Sequence, residues 1–98
     1  MKKGLILGRF QPFHYGHLNL IKNIVEIGVE PLICIGSAQY SHTSENPFSI
    51  DERKEMVKAA MKDIDCKYQL FGIPDINNYD LYVSHLKKFV PKFDCIYS

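Results

Sequence analysis

The sequence predicts a three-layer α/β fold on a parallel sheet, and three observations predict it. Short apolar runs alternate along the chain with amphipathic segments of helical period. The helical segments carry recognisable start or stop residues. The 98 residues, 46% of them hydrophobic and with 12 Lys+Arg against 11 Asp+Glu, suit one ordinary domain that can fill a core without charge repulsion.

Lys3 to Gly8 is a continuous apolar run closed by glycine, the pattern of a strand covered on both faces. From Gly16 to Ile27, the residues Leu18, Ile21, Ile24 and Val25 recur at helical spacing, and Gly28 can end that helix. Leu32 to Ile35 is a second buried strand. Ser49 with Glu52 forms a capping-box signature for a helix through about Lys62, with Met56, Val57, Ala60, Met61 and Ile64 as its stripe. Tyr68 to Ile73 reads as a third strand. Asn78 can cap a helix from about Tyr79 to Val90, Pro91 stops it, and Cys95 to Tyr97 begins a fourth strand. The order is βαβαβαβ in a single domain over residues 1–98. Such alternation requires right-handed crossovers, and the economical arrangement is a parallel, Rossmann-like sheet.

Several function classes recede on composition. A net charge of +1 with no basic tail argues against a purely electrostatic nucleic-acid binder. The apolar runs fall far short of the ~18 residues that span a bilayer, so no membrane partner is expected. Gly8, Arg9 and Gln11 interrupt the first run too early for a signal peptide, which predicts a cytoplasmic protein. Cys34, Cys66 and Cys95 are odd in number and set among apolar neighbours, as reduced core thiols are.

Two connections exceed the usual ~2–6 residues of a strand-to-helix turn, Gly8 to Gly16 and Gly36 to Ser49. Both leave the carboxyl end of a strand, as does Pro74 to Asn78. Ligands of open α/β sheets bind beyond those ends, so all three loops are expected to rim one crevice. The first loop places Arg9, His14, Gly16 and His17 against a helix amino terminus, where free N–H groups and the helix dipole favour phosphate. His14 and His17 are three apart, so both imidazoles can face one bound group. Neutral imidazoles suit that place, because a cation there opposes the dipole. Taken singly, His14 is as well read as a helix cap, His17 as a satisfied histidine and Arg9 as a solvated side chain; together they favour an anion site. No nearby Cys, Asp or Glu completes a metal set, so no protein-only metal site is expected.

The loop Gly8-Arg9-Phe10-Gln11-Pro12-Phe13-His14-Tyr15-Gly16-His17 resembles the (H/T)xGH signature of the nucleotidyltransferase superfamily in its fuller form GRFQPFHxGH, the pattern of archaeal-type nicotinamide-nucleotide adenylyltransferases. The resemblance continues through Ile35-Gly36-Ser37-Ala38-Gln39, Ser41-His42-Thr43, Asn46-Pro47-Phe48, Glu52-Arg53, Ile73-Pro74-Asp75-Ile76 and Pro91-Lys92-Phe93-Asp94 to Ser98. It implies adenylyl transfer from ATP to nicotinamide mononucleotide (NMN), giving NAD and pyrophosphate, with Mg²⁺ carried on the ATP phosphates. By the same resemblance His14, His17 and Arg9 are catalytic. Gly8, Arg9, Phe10 and Gly16 join the histidines in binding ATP, largely through backbone N–H groups. Ser37, Gln39, His42, Arg53, Asp75 and Tyr82 are expected at the substrate. Arg53 lies on the apolar stripe in the first turn of its helix, where an inward guanidinium wants a phosphate or a loop carboxylate. Tyr82 takes the position at which many relatives stack a Trp on nicotinamide, and it shares a stripe with Leu86 and Phe89, so core packing competes for it.

Relatives continue past Tyr97 into further strand, helices and an SxTxxR phosphate motif, and commonly form oligomers. The resemblance therefore implies a fold incomplete after the fourth strand, an impaired piece and a homo-oligomer. The alternatives are another HxGH adenylyl- or cytidylyltransferase, whose shared signature is shorter, and a non-catalytic nucleotide-binding module.

Overall fold

A computed structural model describes residues 2–44, 46–76 and 81–97. Its elements are β1 (Lys2–Gly8), α1 (Tyr15–Glu26), β2 (Val29–Ile35), α2 (Ile50–Met61), β3 (Gln69–Gly72), α3 (Tyr82–Lys87) and β4 (Cys95–Tyr97). The expected βαβαβαβ order is observed. The sheet order is β3-β2-β1-β4 and every pairing is parallel, with Lys2 opposite Val29, Leu32 opposite Gln69 and Gly4 opposite Cys95 at the starts of the ladders.

Strand alternation divides the core in two. Ile6, Ile33 and Ile35 face one side and meet Ile21 and Ile24 of α1 with Val57 and Met61 of α2. Leu5 and Cys34 face the other and meet Leu86 and Val90 beyond them. The layers are thus α1 and α2, the sheet, and α3. Cys34 is fully enclosed, and burial pushes its thiol up to about 12, consistent with a core group rather than a reactive one. All three cysteines are free.

Boundaries differ where local chemistry overrides the periodic pattern. β2 starts at Val29, earlier than the apolar run, because Pro31 precedes the point at which β3 begins to pair, at Leu32. Its missing N–H therefore falls where the β3 side has no ladder to complete. α3 is six residues long, and its end tightens into three-residue turns, with the Lys88 and Phe89 N–H groups donating to His85 and Leu86. The Val90 N–H still reaches Leu86 O at 3.3 Å, and Pro91 keeps the helix from continuing beyond it. The expected cap Asn78 and start Tyr79 lie outside the described residues. α2 has the predicted capping box: Glu52 N–H donates to Ser49 Oγ at 3.1 Å and Ser49 N–H to Glu52 Oε1 at 2.9 Å.

Candidate nucleotide site

The two long loops and the described part of the third, Pro74 to Ile76, meet at the carboxyl ends of β1, β2 and β3. A cavity of about 670 Å³ is lined by Gly8 and Arg9 from the first loop, Gly36 and Ser37 from the second, Asp75 and Ile76 from the third, and Tyr82 of α3. A smaller one of about 420 Å³ shares Arg9, Ser37 and Asp75 and extends to Tyr40, Thr43 and Asn46. The Gly36 N–H donates to Gly8 O at 2.8 Å, tying the two strand ends beneath the opening. A Cβ at Gly8 would lie 2.9 Å from the Phe10 ring, so the glycine lets that ring fold back into the core. Phe10 is 2% exposed, and its ring packs in the core with Ile6, Ile21 and Val57.

The histidines build the helix end. His14 is the N-cap of α1: its Nδ1 accepts from the Gly16 N–H at 3.1 Å, while His17 Nδ1 accepts from the His14 N–H at 3.1 Å. With both Nδ1 atoms accepting, each neutral ring carries its proton on Nε2. The rings stack with centroids 3.8 Å apart, and Phe13 stacks on the other ring neighbour, His17, at 5.3 Å. Burial first, and the adjacent His14 second, hold His17 below its ordinary pKa. No acidic side chain occupies the first turn of α1. The arrangement offers two Nε2–H donors and a helix amino terminus to an anion, but the pair lies outside the two cavities above, and His14 lines a separate one with Phe13, Tyr15, Leu18, Met56 and Ala60. His14 is thus both a cap, as the structural alternative held, and a member of a paired imidazole group.

Arg53 differs from expectation. It is 0% exposed, and its five N–H groups donate to five carbonyls: Ser49 O (3.2 Å), Arg9 O (3.1 Å), Gly36 O (2.8 Å), Ser37 O (3.0 Å) and Tyr40 O (3.2 Å). Neither a phosphate nor a loop carboxylate has a donor left to meet. The guanidinium faces inward as the stripe predicts, and loop backbone takes the place of the anion. Burial and the like charge of Arg9 depress its pKa.

The substrate-side residues form a second knot. Ser37 Oγ donates to Asp75 Oδ2 at 2.7 Å. The Gln39 amide clasps the Asp75 backbone, Oε1 accepting its N–H at 3.0 Å and Nε2 donating to its O at 3.3 Å. Gln39 therefore joins loops instead of lining either cavity, since an amide matches the donor and acceptor of an extended residue. His42 stands outside both cavities, exposed, its Nδ1 2.9 Å from Ser41 Oγ. Tyr82 does both things the sequence left open: it lines the larger cavity and packs against Leu86 and its neighbours. Burial, then Asp75, raises its phenol pKa.

A family model described as cytidylyltransferase-like matches residues 5–81, from the middle of β1 to the residue before α3, and so includes all three site loops. This chain belongs to the cytidylyltransferase-like family. Among the relatives it resembles within that family is the nicotinamide-nucleotide adenylyltransferase of Methanosphaerula palustris, 44% identical over 98 residues that cover 100% of this chain and 58% of the relative. Another is the nicotinamide-nucleotide adenylyltransferase of Thermoplasma acidophilum, 45% identical, covering 99% and 55%. The chain thus spans a little over half the length of these curated relatives. Its fold is similar to the crystal structure of a bifunctional NMN adenylyltransferase/ADP ribose pyrophosphatase from Francisella tularensis complexed with AMP and manganese, with a TM-score of 0.75 and 25% identity over 89% of this chain and 28% of that one.

Two residues of this cytidylyltransferase-like site escaped the sequence reading. Gln11 clasps Phe48 across the loops, with Nε2 donating to Phe48 O at 3.0 Å and Oε1 accepting from Phe48 N–H at 2.8 Å. His85 Nε2 donates to Pro74 O at 2.6 Å, pinning α3, and so Tyr82, to the loop after β3. The only signal for Gln11 was its place inside the first motif; a partner 37 residues away leaves no periodicity to read. His85 lies three residues after Tyr82 on the same helix, which was the available clue.

Proposed function

We propose that this chain carries the nucleotide cleft of a nicotinamide-nucleotide adenylyltransferase, which joins ATP and NMN into NAD with release of pyrophosphate. A phosphate oxygen of NMN attacks the α-phosphorus of ATP in line, its new P–O bond replacing the bond to the α,β-bridging oxygen, which leaves with pyrophosphate. Such a displacement asks for alignment and positive electrostatics rather than a protein nucleophile. The observation that carries the reading is the His14–His17 pair, whose Nδ1 atoms are both occupied by backbone N–H groups at the start of α1. Their Nε2–H groups are the donors to the ATP phosphates and to the charge that builds on them. Arg9, the N–H groups near Gly8 and Phe10, and the approach allowed by Gly16 complete the phosphate side. Ser37 and Asp75 face the acceptor, and Tyr82 stacks on its nicotinamide ring. The full-chain identities to relatives bearing that name support this acceptor over those of other family members.

Mg²⁺ carried on the ATP phosphates would screen their charge. Among the described residues no three His, Cys, Asp or Glu converge to hold a metal separately. No helix of the described residues is long and apolar enough to cross a membrane. The proposed place of action is the cytoplasm. The proposed assembly is a homo-oligomer, and nucleic acid is not among the proposed partners.

The test is pyrophosphate release with ATP, Mg²⁺ and NMN, run on this chain and on a chimera joining it to the unmatched part of the Methanosphaerula relative. Release that depends on NMN in either protein is the expected result. Release only with a different acceptor would move the assignment to another transferase of the family. ATP binding without release from either protein, with any acceptor, would favour a non-catalytic module.

A further inference from the structure

Ser37, which lines the cleft, and Phe10, the residue after the cleft-lining Arg9, are non-glycine residues with positive φ, at 53° and 52°. Such conformations are strained and persist only where the surroundings enforce them. Both belong to peptide bonds gripped by one side chain: Arg53 Nη1 donates to Arg9 O, the carbonyl of the Arg9–Phe10 peptide, and to Gly36 O, the carbonyl of the Gly36–Ser37 peptide. In a planar trans peptide the N–H points opposite to the C=O. Pulling these carbonyls toward the buried guanidinium therefore turns the Phe10 and Ser37 N–H groups away from it, on loops that line the cleft with Arg9 and Ser37. Among the described residues, the five carbonyls take every N–H of the guanidinium, and no carboxylate is hydrogen-bonded to it.

We propose that Arg53 is a positioning residue for phosphate recognition: without touching the ligand it holds the Phe10 and Ser37 N–H groups as a two-sided anion nest, and its charge reinforces that of Arg9. Backbone N–H groups gathered around a concavity are a known way of binding anions. The role differs from the direct anion contact that an inward arginine suggests, and it explains why a fully enclosed cation is kept at the start of α2. Lysine cannot replace it, because an ammonium has three donors and no planar fork. The inference rests on the reading that this cleft takes nucleotide phosphate.

The test uses inorganic pyrophosphate, the 98-residue chain and its Arg53→Lys variant, with affinity by calorimetry and amide shifts by ¹H–¹⁵N spectroscopy. In the wild-type chain the Phe10 and Ser37 amides are expected to shift together along one saturation curve. In Arg53→Lys the affinity of the folded protein is expected to fall about tenfold to a hundredfold, the scale of a charge-assisted hydrogen bond, and the two amides to titrate separately. Wild-type affinity in the folded variant, or wild-type amides at Phe10 and Ser37 that stay still while pyrophosphate binds, overturns the role. Should the variant fail to fold, the wild-type amide titration decides alone. A wild-type chain that binds no pyrophosphate overturns this inference and the nucleotide-phosphate reading together. Pyrophosphate binding without NMN-dependent release sinks only the proposed reaction.

Discussion

At the scale of single residues, His17 links stability to the chemistry. Its Nδ1 completes the end of α1, and burial with the nearby His14 ring holds its pKa below 6.5. As pH falls, the unfolded chain takes up a proton at this site before the folded one does. The contribution of His17 is therefore fully present above about pH 6.5 and is lost as pH falls through the unfolded and then the folded value. His17→Gln keeps an acceptor at the same helix position, as glutamine does in capping boxes, but does not titrate. Its urea midpoint is expected to vary less steeply between about pH 7 and pH 5 than that of the wild type. Matching slopes would assign the acid sensitivity elsewhere. Tyr82 supplies a second prediction. If it stacks on nicotinamide, Tyr82→Ala weakens NMN affinity more than ATP affinity in paired titrations, whereas equal losses would mark it as core alone. His14 and His17 were legible as a pair because their spacing fixes a common helix face. The true partner of Arg53 was not, since periodicity shows that a side chain points inward but not which carbonyls it meets there.

At the scale of elements, the same helix that presents Arg53 depends on its first turn. Ser49 and Glu52 cap α2 reciprocally, and Ser49 O accepts both the Arg53 N–H and its Nε–H. Ser49→Ala removes the hydroxyl acceptor at the cap and keeps that carbonyl. It is expected to cost about 1 kcal/mol of stability by chemical denaturation, with the guanidinium clasp intact and pyrophosphate affinity of the folded chain unchanged. A drop in affinity without a drop in stability would mean that the cap acts on the site directly. The capping box was readable because its two halves sit three residues apart. The loop clasps made by Gln11 on Phe48 and Gln39 on Asp75 were not, because each joins segments distant in sequence through a side chain imitating backbone. The end of α3 fell short of the expected Val90 for a local reason, since the turns after Lys87 close with shorter bonds that the apolar stripe of Tyr82, Leu86 and Phe89 does not reveal.

At the scale of the whole molecule, the continuous apolar runs of β1 and β2 already implied two covered faces, and the three layers follow from them. The position of β4 beside β1 is a topological choice that local pattern does not encode, and it sets what the molecule exposes. β4 ends the sheet among the described residues, so its outer edge offers unpaired backbone groups. Ile96 of that strand is 49% exposed, and Leu81, Val83 and Phe89 along the α3 segment are 57%, 49% and 41% exposed. The molecule's near-neutral charge of +1 supplies little long-range repulsion between copies. In the 98-residue chain these features are expected to favour self-association through the β4 side. Sedimentation velocity over a range of concentrations is expected to show association that Ile96→Lys shifts toward monomer, since a charge on an edge strand opposes strand pairing. Ile96 is absent from both core clusters, so the thermal midpoint of the dilute variant should stay close to that of the dilute wild type. A wild-type chain that remains monomeric at every concentration would remove the β4 side as an interface. Association unaffected by Ile96→Lys would move the interface to another exposed apolar position, such as Tyr15 or Ile27 on the opposite layer.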